Sequence, residues 1–134
     1  MDVRLAALIT AYHDTIGEAL LLLDQAGIPR PDSNTAWAIN AIPPAGRLGD
    51  GASYRKHGFG CEVQWRDRRV DFDFGPQGET TGLDLWRLSG FAGQDLARYG
   101  FSSGDELEQV LHASIEAGEL VKADHLYHRA HPAT

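Results

Sequence analysis

The stretch YRKHGFGCEVQWRDRRVDFDFG, residues 54–75, decides the fold. Cys61, Val63 and Trp65 alternate with Glu62, Gln64 and Arg66, and Val70, Phe72 and Phe74 alternate with Asp71 and Asp73. A period of two sends successive side chains to opposite faces of a strand. With the charged run RDRR between them, the two segments predict an antiparallel hairpin. A tip at Asp67 and Arg68 sets Trp65 opposite Val70, Val63 opposite Phe72 and Cys61 opposite Phe74. The polar face then sets Glu62 opposite Asp73 and Gln64 opposite Asp71. Like charges facing each other on a sheet destabilise it, so this face calls for compensation. A divalent metal, the cations Arg55, Lys56 and Arg87, or open water would each supply it.

Outward from the hairpin, helical periodicity takes over on both sides. Leu5, Leu8, Ile9, Tyr12, Ile16, Leu20 and Leu23 recur at steps of three and four, predicting an amphipathic helix over residues 2–26. Leu21 and Leu22 widen its stripe, which predicts packing on more than one side. Gly27 and Pro29 stop it. Residues 35–42, TAWAINAI, read as a strand or a short helix. Residues 43–53, PPAGRLGDGAS, read as an irregular loop. Beyond the hairpin and the loop GPQGETTG, Asp84 is an N-cap candidate for a helical stretch broken near Gly90 and Gly93. Ser103 with Glu106 three residues later is a capping box. It opens a helix buried through Leu107, Val110, Leu111 and Ile115 and ended by Gly118. Residues 119–128 read as a final strand, and residues 129–134 as a frayed tail.

These elements predict an α+β fold. A small antiparallel sheet built around the central hairpin packs against the N-terminal amphipathic helix and a C-terminal helix. With 134 residues, 43% of them apolar, the chain reads as one domain with one core. Its sections are the helix at 1–27, the strand, loop and hairpin at 34–75, and the helical part at 83–118.

The charge is uneven. The formal net charge is −7, but residues 55–70 carry five bases against Glu62 and Asp67. Residues 71–124 carry eleven acids against Arg87, Arg98 and Lys122. Such a field repels a phosphate backbone and excludes nucleic acid as the main ligand, whereas a basic protein surface suits it. No uninterrupted apolar run reaches the ~20 residues of a membrane span, and the acidic N-terminal segment lacks the features of a signal peptide. With a single cysteine, the expected location is the cytoplasm.

Candidate chemistry centres on the polar face. His57, Glu62, Asp71 and Asp73 are the metal-ligand candidates, because imidazole and carboxylates hold divalent ions. His57, Asp73 and Asp84 are the catalytic candidates. Their spacing matches no tight metal motif, and a brace of neutralised charges is the plainer reading. Cys61 lies four residues from His57, but its place on the apolar face argues for inert packing rather than nucleophilic work. Trp86 cannot share a helical face with Leu88, so it is either a core anchor or an exposed contact residue. His125, His128 and His131 fall together on neither a helix nor a strand.

The elements HGFGC, DFG and LDLWRL resemble an uncharacterised bacterial domain family. The matching residues are His57, Gly58, Gly60, Cys61, Asp73, Phe74, Gly75, Asp84, Trp86 and Leu88. The resemblance covers the middle third of the chain and implies no activity. Small acidic proteins of this kind are associated with immunity and antitoxin roles. The leading expectation is therefore a protein-binding module, an immunity or antitoxin-type protein that occludes a basic partner. Trp86, Asp71, Asp73 and Asp84 would face that partner, with Trp86 or Trp37 as anchor. No resident cofactor is expected under this reading. The alternative is a metal-dependent hydrolase or lyase using the His57 and carboxylate cluster. A third reading, a small-molecule domain, uses residues 45–51 as a lid.

Overall fold

A computed structural model of the chain describes residues 1–28, 42–57, 60–73, 82–123 and 126–130, the side chains of His57 and Asp73 excepted. The fold is α+β. Helix α1 (Val3–Gln25) leads to β1 (Ala45–Arg47), β2 (Ser53–His57), β3 (Gly60–Gln64) and β4 (Arg69–Asp73). Helices α2 (Leu85–Gly93) and α3 (Gly104–Glu116) follow, then β5 (Leu120–Ala123) and β6 (Leu126–Arg129). The residues cluster into two compact units, one of residues 1–12 with 81–134 and the other of residues 13–80.

The helix ends obey local rules. Asp2 Oδ1 accepts the backbone N–H of Arg4 at 2.8 Å and of Leu5 at 3.4 Å, capping α1. At the other end Ile28 N donates to Leu23 O and Gly27 N to Asp24 O. Gly27 takes φ 73°, the left-handed conformation this double closure requires. Gly118 closes α3 in the same way. The buried stripe of α1 is Leu5, Leu8, Ile9, Tyr12, Ile16, Ala19, Leu22 and Leu23. Leu21, expected to widen it, instead projects 55% exposed. By length and apolar content alone α1 qualifies as a membrane span, but nearly half of it is buried inside the protein.

In the second unit the four-stranded sheet runs β1-β2-β3-β4, each neighbouring pair antiparallel. The hairpin is present with its turn moved. Trp65 N donates to Arg68 O at 2.8 Å, so the tip is Arg66 and Asp67. Cys61 faces Phe72, Val63 faces Val70 and Glu62 faces Asp71. A two-residue shift preserves the faces, which is why the apolar alternation alone could not separate the two registers. Cys61, Val63, Val70 and Phe72 are all buried. Phe74 lies outside the described residues, as do Trp37 and nearly all of the segment 35–42. The loop expected at 43–53 is ordered at its centre. β1 pairs with β2, a 3-10 turn spans Gly49–Gly51, and Leu48 N donates to Ala52 O at 2.8 Å. Main-chain hydrogen bonds therefore hold the segment expected to act as a lid. Arg68 also stacks over the Trp65 ring and pairs with Glu18 of α1.

The first unit is organised around Arg4. Its guanidinium meets Asp2 Oδ2 at 3.0 Å, Glu106 Oε1 at 2.5 Å and Gly100 O at 3.2 Å, and lies 4.8 Å from the Phe101 ring centre. The Ser103 hydroxyl caps α3 by accepting Glu106 N at 3.2 Å. The Glu106 carboxylate does not complete the box on Ser103. It turns to Arg4 and to the Ser102 hydroxyl at 2.9 Å, because a guanidinium is the stronger partner. The segment 119–128 is a hairpin rather than one strand. β5 pairs with β6, and Leu83 exchanges two 2.8 Å backbone hydrogen bonds with Tyr127.

Two predictions follow from this unit. Hydrogen bonding from Arg4 lowers the Asp2 pKa from its ordinary 3.8. The Ser102 hydroxyl, with Arg4 as a smaller contributor, lowers that of Glu106 from 4.5. Depressed carboxylate pKa values stabilise the fold above the ordinary range, and that contribution is lost as pH falls through the folded values. The urea midpoint is expected to drop as pH is lowered below 4.5, and to drop less steeply in Arg4→Met. At Gly82 a Cβ would lie 2.5 Å from Leu126 Cβ. Gly82→Ala is therefore expected to cost about 1–3 kcal/mol in denaturant unfolding.

Candidate functional site

The first unit contains a groove of about 600 Å³. Helix α2 supplies Leu85, Trp86, Ser89 and Gly90, helix α3 supplies Glu108, Leu111, His112 and Ile115, and Tyr127 of β6 completes it. The local sequence sets this arrangement. Asp84 Oδ1 accepts Trp86 N at 2.9 Å and Arg87 N at 3.3 Å, which fixes the phase of α2. Leu88, Phe91 and Ala92 then fall on the buried face. Leu85 with Ser89, and Trp86 with Gly90, each four apart, fall toward the groove. Gly90 does not break the helix, which runs on to Gly93. The Trp86 ring is left 87% exposed.

On α3 the apolar groove residues Leu111 and Ile115 are flanked by a polar row. Asp105, Glu108, His112 and Glu116 succeed one another at three- and four-residue steps, and all four are exposed. The helix contains no lysine or arginine. The groove thus has an apolar floor and one prominent indole, with Glu108 and His112 of that row in its lining.

The residues expected from sequence are placed as follows. Asp84 caps α2, and its second oxygen receives Arg87 Nη1 at 3.3 Å. Glu62 and Asp71 face each other across β3 and β4, and Arg55, opposite Glu62 on β2, places Nη2 3.5 Å from Glu62 Oε2. Arg55 is thus one cation beside the like-charged pair. The side chains of His57 and Asp73 lie outside the described residues, as do His125 and His131. Among the described residues no group of three or more His, Cys, Asp or Glu side chains converges as a metal cluster would. Of the candidates whose side chains are described, Trp86 alone lines the groove. The other groove residues went unrecognised because no local motif marks them. The one usable signal was that Leu88 and Phe91 share a helical face that excludes Trp86.

Cys61 is fully buried in the second unit. Burial, reinforced by the negative charges of Asp71 and Glu62, pushes its thiol up to about 12. A thiol with that value is protonated at neutral pH and makes a poor nucleophile. Cys61 is expected to react with Ellman's reagent at least about a thousandfold more slowly in the native protein than in denaturant, since access requires opening of the core. Rapid native labelling would contradict this.

No curated protein and no solved structure matches the chain. A family described only as a domain of unknown function, DUF6896, matches residues 5–129. The match takes in nearly all of both units, and the chain belongs to this family.

Proposed function

We propose that the chain is a protein-binding module that presents the Trp86 groove to a partner with a basic surface. The observation that carries this reading is the 87% exposure of Trp86 on the border of an apolar groove. Burying a large apolar side chain returns about 1.5–3 kcal/mol, and the isolated fold forgoes it here. Tryptophan is among the residues that most often dominate binding energy at interfaces. Glu108 lines the groove, Asp105 and Glu116 continue its exposed row along α3, and these acids attract a positive surface. Asp84 serves this site indirectly, by starting the helix that carries Trp86.

The mechanism is occlusion. The indole anchors the partner, the apolar floor excludes water, and the acids set orientation and on-rate. An immunity or antitoxin-type protein is the specific form of this reading, in which the covered surface is the partner's active one.

The test begins with capture from the native host, followed by mass-spectrometric identification, purification and calorimetric titration of the partner. Trp86→Ala is expected to weaken binding by about 2 kcal/mol, roughly 30-fold. Its thermal midpoint should stay close to that of the native chain, because the ring is exposed. Raising ionic strength should weaken the native complex. Affinity indifferent to both salt and Trp86 would sink the proposal.

A further inference from the structure

We infer that the element received by the groove is a basic amphipathic helix of the partner, laid along α3 with its backbone passing close over Gly90. This rests on the protein-binding reading and specifies what binds. Gly90 lies inside α2, where glycine is a poor helix former compared with alanine or leucine. Among the described residues nothing requires it, since a Cβ built there meets none of their atoms within 4 Å and its φ is not positive. It is exposed, lines the groove beside Ser89, and sits one helical turn beyond Trp86. A small residue at an exposed groove position lets another backbone approach closely.

The shape and charge of the groove favour a helix. Its wall on α3, from Glu108 to Ile115, runs about two helical turns, about 10 Å at 1.5 Å per residue. A two-helix groove of that length matches the apolar stripe of a third helix, with residues at i, i+4 and i+7 seated between Trp86, Leu111 and Ile115. Basic residues flanking that stripe would meet Asp105, Glu108 and Glu116, as lysines along a coiled-coil border meet acids.

The probe is a fluorescein-labelled synthetic peptide of leucine and lysine in helical amphipathic order, titrated by anisotropy. A peptide of the same composition in scrambled order and one with glutamate for lysine are the comparisons. The ordered peptide should bind at least about tenfold more tightly than either, as expected when anchors must be correctly spaced. Gly90→Leu should lower its affinity about tenfold or more by filling the approach, while the thermal midpoint stays level or rises. No measurable binding of the ordered peptide overturns the inference, as does Gly90→Leu affinity equal to native. If ordered and scrambled peptides bind equally and Trp86→Ala abolishes both, the helix inference falls and the groove reading survives. If binding is indifferent to Trp86, both fall.

Discussion

One guanidinium holds the first unit together. Arg4 answers the N-cap Asp2, a carbonyl at Gly100, the carboxylate of Glu106 and the face of Phe101. Each contact by itself is a partly exposed ion pair or hydrogen bond of modest worth. Together they fix where α1 begins, how the turn before α3 closes and how α3 starts. Gly100 shows the constraint from the other side. It takes φ 83°, and a Cβ there would come within 3.1 Å of the arginine chain. The position of α3 sets one wall of the groove, so the surface that Trp86 borders depends on an interaction far from it in sequence.

The second unit rests on alternation instead. Its sheet was legible because one face is dry and the other is not, and Cys61, Val63, Val70 and Phe72 sort themselves by parity. Parity leaves the register open to even shifts, and the turn at Arg66 and Asp67 settled it through main-chain hydrogen bonds that no side-chain pattern encodes. Residues 53–57 show the same limit. SYRKH has one buried aromatic, Tyr54, among charged neighbours, too little pattern to announce a strand. Pairing with β3 makes it one. The run 43–53 reads as loop because glycine and proline disfavour strands in isolation. An adjacent edge supplied the hydrogen bonds that propensity withheld.

Caps were the most readable features, since they are chemistry over three or four residues. Asp84, Ser103, Gly27 and Gly118 all sit where their side chains or backbone freedom are needed. Glu106 is the instructive departure, because the motif was right about the helix start and silent about the competing arginine. The groove was nearly illegible, being assembled from three segments whose separate patterns are those of ordinary core elements. Only Trp86 stood out. Part of the charge clustered around residues 54–75 is paired, with Arg55 beside Glu62 and Arg68 between Trp65 and Glu18.

Pairing across long sequence separations in the first unit also has a consequence for synthesis. Arg4 meets Glu106, and Arg129 donates to the carbonyl of Ala6, across 102 and 123 residues. At roughly 5–20 residues per second on the ribosome, the early segment waits several seconds or more for those partners. During that interval Tyr12 also waits for Phe91, against whose ring it packs edge-on at 5.3 Å between centroids. The sheet, whose strands lie close in sequence, has no such delay. The order in which the ribosome delivers the segments thus favours completing the sheet first and the groove last.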